Sequence, residues 1–276
     1  MSLKGKTAII TGGAKNLGAD IAKELAALGA NLALHYNSAK SKEDATKFEA
    51  VLRQKYPGIK FQFYQADLTT EAAVNKLFDS VKKDFGKIDI VINTVGKVLK
   101  KPIQDVTEAE YDEMFAYANP NYSFLYFSQS YMQLLARLTW HRVNSKSAFF
   151  ILKAGAKNVE DGGKLITIVT ALLAAFTGFY TSYAGSKAPV EHFTRGVAKE
   201  LQPRGISVNA VAPGPMDTPF FYPQESPEAV AFHKSQALGG RLTKTEDIAP
   251  IIRFLVTEGG WITGQTLFAN GGYTTR

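Results

Sequence analysis

The sequence predicts an α/β protein built on a doubly wound parallel sheet, a Rossmann fold of about seven strands with helices on both faces, in one domain. Three observations lead there. Short runs that are apolar throughout recur along the chain, segments with helical spacing of apolar residues separate them, and a glycine-rich turn joins the first run to the first such segment. Strands without a polar face need cover on both sides, and alternation with helices supplies it.

The first run, Thr7–Ile10, leads into Thr11-Gly12-Gly13-Ala14-Lys15-Asn16-Leu17-Gly18. A turn of this kind lets backbone N–H groups approach a pyrophosphate at a helix N-terminus, whose dipole favours an anion. Gly12, Lys15, Asn16, Leu17 and Gly18 are therefore candidate cofactor contacts. Asn16 stands where glycine is expected, and asparagine tolerates positive φ. Ile21, Leu25 and Leu28 then fall on one helix face ahead of Gly29.

The second run, Asn31–Tyr36, ends in His35-Tyr36-Asn37-Ser38. Dinucleotide folds that prefer NAD carry an acid here for the ribose 2′-hydroxyl. With no carboxylate at this place and Lys15 near, NADP(H) is expected rather than NAD(H), with Asn37 and Ser38 at the ribose. The third run is Phe61–Ala66. Val74, Leu77, Phe78, Val81 and Phe85 mark the next helix, which Gly86 ends. The fourth run, Ile88–Ile92, precedes Asn93-Thr94-Val95-Gly96.

The fifth run, Leu165–Val169, delivers Thr170 to the carboxyl edge of the sheet, where open α/β sheets bind ligands. Tyr183-Ala184-Gly185-Ser186-Lys187 places a phenol and an ammonium four residues apart, on one face of a helix. A neighbouring cation stabilises phenolate and brings a poor acid–base toward the working range. Pro189 lies in the same helix and withholds a donor from the carbonyl of Gly185. The last runs are Ile206–Val211, followed by Pro213-Gly214-Pro215-Met216-Asp217-Thr218, and Thr266–Ala269.

Composition narrows the function further. Hydrophobic residues make up 45% and charged residues 21% of the 276, an ordinary globular balance. The absence of cysteine excludes disulfides and thiolate metal sites, and a reducing, cytoplasmic compartment is expected. No stretch has the length or apolarity of a signal core or a membrane span. The net charge of +7 is scattered rather than gathered into basic runs with aromatics, so neither nucleic acid nor membrane is an expected partner. The four histidines, His35, His141, His192 and His233, show no ligand spacing, and no metal is expected.

The ordered set from Thr11-Gly12 to Gly18, Asn93 to Gly96, Tyr183 to Lys187, Pro213-Gly214, Ile262-Thr263-Gly264-Gln265 and Gly271-Gly272 resembles the short-chain dehydrogenase/reductase family, in its beta-ketoacyl reductase-like branch, over essentially the whole chain. The resemblance implies that Tyr183 is the general acid in carbonyl reduction and the base in alcohol oxidation. By the same resemblance Lys187 lowers its pKa and binds the nicotinamide ribose, and Thr170 stands where the family has serine. Asp67 and Leu68 would meet the adenine, Asn93 would line the cofactor cleft, and Pro213, Gly214, Met216 and Thr218 would pack on the nicotinamide, with Thr218 bonding its carboxamide. A homotetramer or dimer acting on a small carbonyl or alcohol substrate is implied. A 3-oxoacyl thioester reductase and a catalytically impaired NADP(H)-binding protein are the alternatives.

One departure is large. The family's fourth catalytic residue, an asparagine, matches Asn144, but it lies about 26 residues too far from Asn93. The helix begins at Glu108–Ala116 and resumes at Val143, leaving Tyr117–Arg142 as a surplus. Asn119 is the rival for the role, yet Pro120 after it disfavours helical geometry. Joining Ala116 to Val143 restores one helical run, which favours a retained in-frame intron over a lineage-specific flap.

Overall fold

A computed structural model describes residues 1–115 and 143–276. The surplus Tyr117–Arg142, with Asn119 and His141, lies outside the described residues. Seven parallel strands form one sheet: β1 (Thr7–Thr11), β2 (Asn31–Tyr36), β3 (Phe61–Gln65), β4 (Ile88–Asn93), β5 (Val159–Ile168), β6 (Ser207–Pro213) and β7 (Thr266–Ala269). Their order across the sheet is β3-β2-β1-β4-β5-β6-β7. Every pairing is parallel, as the apolar runs require.

The helices are α1 (Asn16–Ala27), α2 (Lys42–Lys55), α3 (Glu71–Phe85), α4 (Glu108–Phe115), α5 (Ser145–Asn158), α6 (Thr181–Glu200), α7 (Pro227–Ser235) and α8 (Thr245–Thr257). Successive side chains on a strand point to opposite faces, and here both faces are buried. Ile10, Leu34 and Ile92 pack with Ile21 and Leu25 of α1 and Ile252 of α8. Their neighbours Ile9, Ala33 and Val91 pack on the other side with Phe78 of α3 and Ile151 of α5. The ends of α3 follow local rules: the Thr70 side chain accepts from the Ala73 N–H at 3.2 Å, and Gly86 takes φ 84° at the other end. Among the described residues no helix is long and apolar enough to cross a membrane.

Candidate active site

The sheet order reverses between β1 and β4, and the cleft opens at the carboxyl ends of these strands and β5, where an open α/β sheet leaves a crevice. At its floor the chain turns from β1 into α1. Gly12 has φ 69°, and a Cβ on Gly18 would stand 2.2 Å from the Gly12 carbonyl oxygen. Only glycine lets α1 start this close to the strand. Asn16 has φ 49°, the left-handed conformation its type tolerates. No side chain caps α1, and Asn16, Leu17 and Gly18 line the cleft, so the first N–H groups of the helix are offered to an anion. This turn fits a dinucleotide pyrophosphate.

His35, a histidine without ligand spacing in the sequence, holds the turn in place. Its buried ring accepts the Gly12 N–H at Nδ1 (3.2 Å) and donates from Nε2 to the Ala66 carbonyl (2.8 Å), while its own carbonyl accepts from Gly13 (2.9 Å). Burial pushes its pKa down to about 4, which keeps the ring neutral. The β2 end thus braces the phosphate turn and the start of the Asp67 loop together. A histidine directly ahead of the ribose position was the available signal, but its partners are set by tertiary structure.

Most residues expected at the cofactor line this one cleft: Gly12, Lys15, Asn16, Leu17, Gly18, Asn37, Asp67, Leu68, Pro213, Gly214, Met216 and Thr218, together with Tyr183 and Lys187. Two expectations need correction. Ser38 is not among the lining residues and precedes a short 3-10 turn, whereas Tyr36 and Ser41 do line the cleft. Asn93 lies beneath the cleft rather than along it: its buried Oδ1 accepts from Thr11 Oγ1 (2.8 Å) and the Val95 N–H (3.1 Å), bracing β4 against β1. The β2 end carries no carboxylate, as its sequence shows, but one reaches Lys15 from elsewhere. Asp44 of α2 pairs with it at 2.9 Å, an exposed pair worth about 0–1 kcal/mol that leaves the ammonium within reach of a phosphate.

At the far end of the cleft Tyr183 and Lys187 share a buried face of α6 with Thr170, two residues beyond β5. Burial pushes the Tyr183 phenol up to about 12, against a smaller downward pull from its hydrogen bond with Thr170. The resemblance implied that Lys187 lowers that pKa; in this structure burial, not the Lys187 ammonium, sets the direction of the shift. Lys187 Nζ instead points to the Ile168 carbonyl (3.2 Å) and the Val95 carbonyl (3.5 Å), and burial lowers it to about 8. A Cβ on Gly96 would stand 3.0 Å from that Nζ and 3.3 Å from Asn144 Oδ1, so the β4 loop leaves room for both groups.

Asn144 is fully buried and does not line the cleft. Its Nδ2 donates to the Lys97 carbonyl (2.8 Å) and Ser186 Oγ (2.9 Å), and its Oδ1 accepts the Lys97 N–H (2.9 Å). Ser186 in turn donates to the Tyr183 carbonyl at 2.7 Å. In this structure Asn144 ties the β4 loop to α6. Among the described residues, no group of three or more His, Asp or Glu side chains is gathered that would hold a metal ion.

Comparison with known proteins agrees with this fold. Residues 6–229 match the family model described as short chain dehydrogenase. A crystal structure of a putative dehydrogenase from Burkholderia cenocepacia with bound NADP superposes with a TM-score of 0.87 at 54% identity, covering 100% of this chain and 96% of that one. The NADPH-dependent aldehyde reductase 2, chloroplastic, of Arabidopsis thaliana is 33% identical over 99% of this chain and 95% of its own length. A short-chain type dehydrogenase/reductase of Picea abies is 32% identical over 98% and 93%.

Proposed function

The chain belongs to the short-chain dehydrogenase family, and on that premise we propose that it is an NADP(H)-dependent oxidoreductase interconverting a carbonyl and an alcohol, with Tyr183 as general acid/base. One observation carries the reading: the uncapped glycine turn of α1 and the Thr170, Tyr183 and Lys187 group open onto the same cleft. A β2 end without a carboxylate, a reachable Lys15, the NADP bound in the Burkholderia structure and the NADPH in the name of the Arabidopsis relative all favour NADP(H) over NAD(H). The Arabidopsis relative's name also favours simple carbonyl reduction over the beta-ketoacyl thioester branch.

Bound in this cleft, the cofactor supplies or accepts the hydride. The protein's residues handle orientation and the proton. Gly12 to Gly18 would meet the phosphates, and Asn37, Asp67 and Leu68 the adenine and its ribose. Pro213, Gly214, Met216 and Thr218 would pack on the nicotinamide, and Lys187 would bind its ribose. A phenol held near 12 is almost wholly protonated at neutral pH, which suits an acid that gives its proton to a forming alkoxide. Thr170, bonded to the same phenol, orients it and steadies the phenolate left behind. Asn144 keeps the Lys97 loop and Ser186 in register, which supports turnover rather than a role in cofactor binding alone. Self-association as a dimer or tetramer through α5, α6 and β7 completes the reading; Phe149 of α5 is exposed and packs edge-on against Phe193 of α6.

Spectrophotometry with ketones, aldehydes and 3-oxoacyl thioesters tests it. Carbonyl-dependent NADPH oxidation is expected, and Tyr183→Phe should lower it by about 100-fold or more, the usual reach of general acid catalysis. A Tyr183→Phe variant that turns over normally refutes the assignment.

A further inference from the structure

Behind the substrate end of the cleft lies an ion pair that the reaction does not use. The side chain of Glu225, just before α7, is fully buried, and its Oε2 sits 2.5 Å from Nζ of Lys100, a residue of the β4 loop. Its Oε1 accepts the hydroxyl of Tyr180, three residues ahead of Tyr183. His233 of α7 brings Nε2 to 3.5 Å from the same carboxylate and Nδ1 to 2.9 Å from the Tyr273 hydroxyl. The Lys100 ammonium also lies 5.5 Å from the centre of the Tyr180 ring.

The chemical effect is on the wall in front. Val98, Leu172, Tyr180, Phe220, Phe221 and His233 line this end, and among the described residues there, Lys187 apart, none is an ammonium or a carboxylate. The polar atoms of Tyr180 and His233 are engaged by Glu225 and Tyr273, which leaves their ring surfaces to the cleft. Burial holds His233 below its ordinary range, so it is neutral at neutral pH. Lys100 balances Glu225, so no net charge stands behind the rings.

We propose that the Glu225–Lys100 pair makes the substrate end an uncharged aromatic wall, and that the carbonyl compound it admits is apolar and uncharged while anionic compounds of equal shape are rejected. This rests on the carbonyl reductase reading and names its substrate class. An apolar group gains from leaving water against these rings. A carboxylate against these rings sheds its hydration with no opposite charge in the wall in return. Glu225 is thereby a specificity-determining residue that touches no substrate.

The test uses two aryl ketones that differ only in the para group, 4-methylacetophenone and 4-acetylbenzoate, with the full-length protein. Calorimetry on protein saturated with NADP+, where no turnover occurs, is expected to give a Kd at least about tenfold lower for the methyl compound, and NADPH oxidation a preference of about 100-fold in kcat/KM. Glu225→Gln leaves Lys100 unbalanced and should narrow the preference, whereas Lys100→Met leaves Glu225 unbalanced and should widen it. Opposite shifts cannot come from a common loss of packing. A carboxylate that binds as well as the methyl compound, failure of both to bind, or two variants that shift the ratio alike, overturns the inference. If the binding preference holds while no carbonyl oxidises NADPH, the wall stands and the proposed reaction falls.

Discussion

At His35 one uncharged imidazole serves two backbone groups, and protonating Nδ1 would set an N–H against the N–H of Gly12. Burial lowers the folded-state pKa from 6.5 to about 4. The unfolded chain therefore takes up the proton first as pH falls, and this contribution to stability is present above about pH 6.5 and lost as pH falls to about 4. Its full size is about 3 kcal/mol, from 1.36 kcal/mol per unit. Denaturant titrations at a series of pH values should show the wild type losing stability over that window relative to His35→Gln, which keeps hydrogen-bonding groups but does not titrate. Parallel pH profiles for the two proteins would remove His35 from this role. Asn16 illustrates the opposite case in sequence reading: its positive φ was legible, because few residue types stand in for glycine at such a turn, whereas the duty of His35 depends on where β1 and β3 come to lie.

Glycines on two helices separate space from propensity. A Cβ on Gly18 of α1 meets the Gly12 carbonyl oxygen at 2.2 Å, and backbone cannot step aside as a side-chain tip can. On Gly196 of α6 it meets nothing within 4 Å. The same change to alanine should thus have opposite signs: Gly18→Ala destabilising by about 1–3 kcal/mol through overpacking and weakening NADP binding, Gly196→Ala stabilising by about 0.5–1 kcal/mol through helix propensity. Thermal melts and cofactor titration read both; equal effects would show that the α1 turn has room to relax. Most strands and α3 were legible because apolar runs and caps are local signals, and their ends fell within a few residues of Thr7–Thr11, Ile88–Asn93 and Glu71–Phe85; β5 is the exception, starting at Val159 rather than Leu165 because its first half is polar and glycine-rich. Illegible were the pairings made across distance: Lys15 with Asp44 of α2, and Lys100 with Glu225, 125 residues apart. Ser38 and Asn93 missed the cleft wall for a related reason, since proximity in sequence to a strand end does not say which side chains face inward.

For the whole molecule, the interruption of the α4 to α5 run matters most. The flanks of the surplus are close in space: Asn144 Nδ2 lies 3.5 Å from Met114 Sδ. Joining Ala116 to Val143 is therefore expected to preserve the fold, to keep the NADP Kd within about threefold and to give a dimer or tetramer by light scattering, because excisions that leave buried contacts intact are tolerated. An excised protein that fails to bind NADP would show that the segment is needed. A transcript whose main form carries all 26 codons would rule out the retained intron. The strand order has a consequence in time. β1 is an interior strand of the sheet, and its second edge is covered by β4, about 80 residues later in the chain. At about 5–20 residues per second of synthesis, the nascent chain holds a bare, wholly apolar strand edge at the ribosome for on the order of ten seconds. The pace of translation between the two strands, and what shields residues 7–11 meanwhile, should then govern how much protein reaches the finished sheet.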